Sequence, residues 1–158
     1  MKMQEKCLPC VVNQAIETAK TILYLGDNCG EICLDKILLK KIKAMNPKVQ
    51  IFFATRGAAV VNDSIEEDAY LVGIDEVATV VSNGDSSLGT VLSRTSKEFL
   101  QIYEKADVVI AKGQANYECL STEKKNNYFL LKTKSQANAK DIGAPEMKMI
   151  LKRSDAYS

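Results

Sequence analysis

Apolar positions along this chain alternate between two periods, and the alternation predicts a series of helices and strands. Val11 to Lys20 places Val11, Val12, Ala15, Ile16 and Ala19 close to the helical period. Thr21-Ile22-Leu23-Tyr24-Leu25 is a continuous β-favouring run ended by Gly26-Asp27-Asn28, the pattern of a buried strand. Glu31 to Met45 reads as a helix. Ile32, Leu34, Ile37, Leu38 and Ile42 crowd one side, Lys36, Lys40, Lys41 and Lys43 supply the wet side, and Asn46-Pro47 stops it. Val49 to Ala54 is the second strand, Ile65 to Val72 a helix, and Thr79 to Ser82 the third strand. Thr95-Ser96-Lys97-Glu98 fits a capping box opening a helix to Lys105. Ala106 to Ala111 and Tyr128 to Leu131 are the fourth and fifth strands, and the segment after Lys134 carries only weak signals.

Strands separated by helices indicate βαβ units. Continuous apolar strands agree, because parallel strands are buried on both faces. The fold class expected is α/β: a three-layer α/β/α domain, a mostly parallel sheet of about five strands, and a short N-terminal helix. A chain of 158 residues is expected to form one domain, with 1–20 as an N-terminal helical piece, 21–134 as the α/β core and 135–158 as a tail. In such sheets ligands bind outside the carboxyl ends of the strands, so the segments after each strand are where chemistry is sought.

Composition narrows the classes. Hydrophobic residues at 46% and charged residues at 26% exclude a disordered chain. Lys plus Arg is 21 against 20 for Asp plus Glu, so no electrostatic argument favours nucleic acid or an anionic membrane. The longest apolar runs fall far short of the ~20 residues that span a bilayer, and Met-Lys-Met-Gln-Glu-Lys lacks the apolar core of a signal peptide. A cytoplasmic location is the expectation. Histidine is absent, which removes Ser-His-Asp and Cys-His pairs, imidazole-held zinc and a His general base. The five cysteines, an odd number, argue for a reducing compartment. Cys7-Leu8-Pro9-Cys10 offers only two of the four ligands of a tetrahedral zinc site, no second such pair follows, and it precedes the first strand, so a structural or incidental role is expected ahead of a partial metal or redox one.

The strand ends carry Gly26-Asp27-Asn28-Cys29-Gly30-Glu31, Arg56-Gly57 with Asn62-Asp63, Asn83-Gly84-Asp85, Lys112-Gly113-Gln114-Ala115-Asn116, and Lys132-Thr133-Lys134. Hard oxygen donors beside lysines suit a divalent cation and a phosphate. Each segment also has a plainer reading: Gly26-Asp27-Asn28 as a turn feeding a cap, Asp63 or Ser64 as a cap with Glu67 closing the box, Lys112 as a solvated lysine. Their joint occurrence at one sheet edge favours the functional reading. No Gly-x-x-x-x-Gly-Lys-Ser/Thr loop, Gly-x-Gly-x-x-Gly fingerprint or Asp-x-Asp phosphatase motif is present.

Taken in order, Ile22 to Glu31, Arg56-Gly57 with Asn62-Asp63, Ser82-Asn83-Gly84, and Ala106 to Glu118 resemble the metal-dependent damage-control phosphatases, also called the ARMT-like metal-binding family. Lys6-Cys7-Leu8-Pro9-Cys10 with Asn13-Gln14 resembles the amino-terminal signature of its archaeal and bacterial branch. The resemblance implies a phosphatase of small phosphorylated metabolites, such as sugar phosphates. It implies a divalent cation (Mn2+, Mg2+, Co2+ or Ni2+) held by Asp27, Asn28 and Asp63, with Asp27 and Lys112 as the catalytic pair. Glu31, Lys112, Gly113, Gln114, Asn116 and Lys134 would contact the substrate or its phosphate, with backbone N–H groups of Gly113 and Gln114 balancing phosphoryl charge. Two departures from the family stand out. Its members carry a helical segment between the Cys-x-x-Cys signature and the Gly-Asp-Asn motif, which here is missing, and Ser135 stands where the branch has Cys. Surface that the segment would cover is expected to drive self-association. A non-catalytic metal- and phosphate-binding module is the alternative function.

Overall fold

The structure, a computed structural model, describes residues 8–154 and 156. Cys7, one half of the Cys-x-x-Cys pair, lies outside the described residues. The chain runs α1 (Leu8–Thr18), β1 (Thr21–Leu25), α2 (Ile32–Met45), β2 (Gln50–Thr55), α3 (Glu66–Leu71), β3 (Thr79–Ser82), α4 (Lys97–Lys105), β4 (Val108–Lys112), α5 (Gln114–Leu120), β5 (Asn127–Lys132), α6 (Gln136–Ile142) and β6 (Met149–Arg153). Single 3-10 turns at Cys29–Glu31, Ile74–Glu76 and Leu92–Arg94 punctuate the loops. Among the described residues, no helix is long and apolar enough to cross a membrane.

The strands form one sheet in the order β3-β2-β1-β4-β5-β6, all parallel except the edge strand β6. Alternate strand residues feed two cores. Ile22, Tyr24, Phe53 and Ile110 pack with Leu39 and Ile42 of α2, whereas Leu23, Leu25, Val109, Ala111 and Phe129 pack with Phe99 and Tyr103 of α4 and Tyr117 of α5. Burial on both faces is why β1, β4 and most of β5 read as unbroken apolar runs, and the three-layer α/β/α expectation holds.

β1 lies between β2 and β4, with Leu25 in register with Ala54 on one side and Ala111 on the other. The winding reverses there: β2 and β3 follow on one side of β1, β4 and β5 on the other. The loop from Gly26 to Glu31 therefore opens at the switch point, beside the loops that follow β2 and β4.

Three local expectations are corrected. The 135–158 segment was expected to be a tail, but it supplies α6 and β6. β6 pairs antiparallel with β5 from Tyr128↔Arg153 to Lys132↔Met149. An edge strand buries only part of its surface, so Met149–Arg153 carries no continuous buried run for a pattern to reveal. The cap of α4 is Ser96, whose Oγ accepts from Phe99 N at 3.1 Å, while Thr95 Oγ1 donates to Leu92 O at 2.9 Å. At α3, Ile65 N donates to Asp68 Oδ2 at 3.0 Å, so neither Asp63 nor Ser64 is the cap and Glu67 closes no box.

Candidate metal and phosphate site

Two loops at the carboxyl edge are stitched together by backbone. Cys29 N donates to Asn62 O at 2.8 Å and Ser64 N to Asp27 O at 2.8 Å, making an isolated antiparallel bridge between Asn28 and Asp63. The bridge sets Asp27, Asn28, Asn62 and Asp63 on one wall of an open cleft of about 360 Å³. Gln114, Ala115, Glu118 and Cys119 of α5, with Leu88 and Lys134, form the rest of its lining. Asn28 is oriented from both sides: its Nδ2 donates to Asp27 Oδ2 at 3.1 Å and its Oδ1 accepts from Asn62 Nδ2 at 2.7 Å.

Asp27 carries the strongest electrostatic signature of the site. Burial, then the charges of Asp63 and Glu31, push its carboxyl from 3.8 up to about 6, against smaller opposing effects of Arg56 and Lys134. Gly113 packs directly against this carboxylate. It adopts φ 83°, and a Cβ there would collide with the Oδ atoms of Asp27. Only glycine lets β4 turn into α5 that close to an acid.

Asp63 is 8% exposed, and its Oδ2 accepts from Arg56 Nε at 2.7 Å. Arg56, 4% exposed, reaches two further groups: Nη1 donates to Thr90 Oγ1 at 3.2 Å and Nη2 to Asn116 Oδ1 at 3.4 Å.

Lys112 turns to the α2 side of the sheet edge. Its Nζ lies 2.8 Å from Asp35 Oδ1 and 3.3 Å from Glu31 Oε1, and Tyr24 OH donates to the same Asp35 oxygen at 2.6 Å. Burial works against the lysine's charge. Hydrogen bonding and charge from Asp35, then Glu31, outweigh it and hold the ammonium above the ordinary lysine value. Burial also raises Asp35, only partly offset by Lys112 and Tyr24.

Of the expected site residues, Asp27, Asn28, Asp63, Gln114 and Lys134 come together around the cleft. Glu31 acts on Asp27 through its charge and on Lys112 by direct contact. Three expectations change. Lys112, expected to act on the phosphate, is held by Asp35 and Glu31 on the α2 side and does not line the cleft. Gly113 N is spent on Leu130 O at 3.0 Å, so this residue contributes space for Asp27 and not a donor for phosphate. Asn116, expected to bind substrate, is wholly buried, and its amide is committed. Nδ2 donates to Lys112 O at 2.7 Å and Gly26 O at 3.3 Å, while Oδ1 accepts from Thr90 at 2.8 Å and from Arg56. Arg56, Asp35, Thr90 and Glu118 were given no role from sequence. The available signals were position and spacing: Arg56 stands at the end of β2 in the Arg56-Gly57 motif, and Asp35 and Glu118 lie four residues after Glu31 and Gln114.

Residues 5–150 match the family described as the damage-control phosphatase ARMT1-like domain. A damage-control phosphatase of Pyrococcus horikoshii is 34% identical over 142 residues, covering 89% of this chain and 49% of that protein. A damage-control phosphatase of Archaeoglobus fulgidus is 38% identical over 133 residues, covering 83% of this chain and 46% of that protein. The crystal structure of a DUF89 family protein from Pyrococcus horikoshii superposes with a TM-score of 0.91 at 32% identity, covering 98% of this chain and 54% of that one. The chain thus spans about half the length of the relatives it matches.

Proposed function

The chain belongs to the ARMT1-like damage-control phosphatase family, and on that premise we propose that it is a metal-dependent phosphatase of small phosphorylated metabolites, sugar phosphates among them. One observation carries the reading. Asp27, Asn28 and Asp63 are brought to one wall of the switch-point cleft by backbone pairing of their loops, and none of the three caps α3.

The donor set fits a hard divalent cation: two carboxylates and a carboxamide, all oxygen ligands. The raised carboxyl of Asp27 supports the same conclusion, because burial and, after it, the charges of Asp63 and Glu31 disfavour its ionised form, and a bound cation would favour it. Mn2+, Mg2+, Co2+ or Ni2+ held by these residues would supply polarisation of a phosphoryl oxygen and orientation of a water for in-line attack. Asp27, packed against Gly113 in the turn after β4, would hold that cation together with Asn28 and Asp63. Lys112, kept charged by Asp35 and Glu31, would offset charge at the same edge, and Lys134 would meet the anionic substrate at the cleft. Gln114 and Glu118, hydrogen-bonded at 3.1 Å along α5, line the part of the cleft open to the rest of the substrate.

The test is phosphate release from a panel of sugar phosphates with each of the four metals. Metal-dependent turnover that Asp27→Asn abolishes is expected. No release with any metal and any substrate would sink the phosphatase reading. The second reading, a metal- and phosphate-binding module, is favoured by one contact: the Lys112 ammonium is held by two carboxylates on the α2 side and does not line the cleft. Saturable metal-dependent binding of a sugar phosphate without release would select it.

A further inference from the structure

We propose that Arg56 is a positioning residue that presents Asp63 to the cation through a single carboxylate oxygen; this rests on the metal-site reading above. Oδ2 of Asp63 is taken by Arg56 Nε at 2.7 Å, in a pair whose side chains are 4% and 5% exposed. Rotation of the carboxylate would break a buried charged hydrogen bond, so the side chain is held with Oδ1 as its available donor. Arg56 is itself anchored. Its guanidinium meets Thr90 from the loop after β3, and Asn116, whose amide in turn grips Gly26 O after β1 and Lys112 O at the end of β4. The planar fork thus takes its orientation from the loop after β3 and, through Asn116, from the ends of β1 and β4, and passes it to one ligand. A lysine could match the charge but not three directions at once.

Two effects of the guanidinium oppose each other. Its positive charge repels an incoming cation, while its fork fixes the ligand. Replacing Arg56 by neutral Gln would change both, so Arg56→Lys separates them: the charge stays and only the fork is lost. Outer-shell partners of metal ligands are typically worth about 10–100-fold in affinity, and that weakening is expected for Arg56→Lys.

The experiment measures Mn2+ binding calorimetrically to wild type, Asp27→Asn, Arg56→Lys and Thr90→Val, well below each melting temperature. Asp27→Asn tests the site itself: if wild type binds no Mn2+, or Asp27→Asn binds as wild type does, the metal-site reading fails. If that reading stands, weaker binding by folded Arg56→Lys supports the positioning role, and binding equal to wild type overturns it. A merely structural role would lower the melting temperature without changing the affinity. Should Arg56→Lys fail to fold, Thr90→Val keeps the Arg56–Asp63 pair and removes one anchor of the fork. Weakened Mn2+ binding is then expected, and unchanged affinity overturns the proposal.

Discussion

Gly113 and Asp27 occupy adjoining space at the switch point: the position a Cβ would take on residue 113 is filled by the Asp27 carboxylate. Parallel pairing of β1 with β4 brings residues 86 positions apart in the chain into this contact. Gly113→Ala must therefore move the carboxylate, and it also imposes a left-handed φ on an L residue. A loss of about 1–3 kcal/mol in folding stability is expected from the strain, together with loss of metal-induced stabilisation. Thermal melts of the variant with and without Mn2+ check both; a variant that melts and responds to metal like wild type would show that the close packing has no consequence.

Asp63→Asn separates a ligand from a cap. As a cap the change would be nearly neutral, because Asn caps as well as Asp. The structure instead makes Asp63 the partner of buried Arg56, so loss of the carboxylate charge leaves that cation uncompensated, and disruption of a buried pair costs up to about 3–5 kcal/mol. Wild type should gain about 2.7 kcal/mol at a hundredfold excess of Mn2+ over Kd. The variant should melt lower without metal and gain less with it. Equal metal-induced shifts in the two proteins would remove Asp63 from the site.

The carboxyl of Asp27 gives a pH dependence of defined sign. Its folded value of about 6 lies above the ordinary 3.8, so between those values the folded state binds more protons than the unfolded one. The corresponding stability is present below about pH 4 and is lost as pH rises through 6. In metal-free protein, melts from pH 4 to 7 should show this decline, and Asp27→Asn should flatten it. Added Mn2+ should reverse the trend at the upper end, where the carboxylate is ionised. An Asp27→Asn profile parallel to wild type would assign the slope to other groups.

Tyr24→Phe probes the support beneath Lys112. Tyr24 OH donates to Asp35 Oδ1 in the core, and hydrogen bonds to charged groups contribute about 1.5–3 kcal/mol. Its removal should destabilise the fold by that order. It should also raise the Asp35 carboxyl further, because the hydroxyl is one of the groups lowering it. Denaturant unfolding gives the first quantity and NMR titration of the Asp35 carboxyl the second; an unchanged Asp35 value would show that Lys112 alone holds the carboxylate.

What the sequence determined by itself was whatever depends on neighbours along the chain. β1 was read with its observed bounds because a strand buried on both faces is apolar without interruption and Gly26 ends it, whereas β3, an edge strand with only Val80 buried, was delimited by the Asn83-Gly84 turn that follows it. The α/β alternation and the edge that carries Asp27, Asn28 and Asp63 follow from the same patterns. The roles of Arg56 and Asn116 could not be read that way: in the sequence a buried arginine looks like a solvated one, and an asparagine clamping two carbonyls looks like one awaiting a ligand. Their partners are decided by strand order. Asn116 bonds Gly26 across 90 positions and Arg56 across 60. Local hydrophobic period says that β4 is a strand, but not that it lies beside β1 and away from β3. Only that placement, made by packing two helical layers on one twisted sheet, sets Gly113 against Asp27 and turns a row of separate loops into a site.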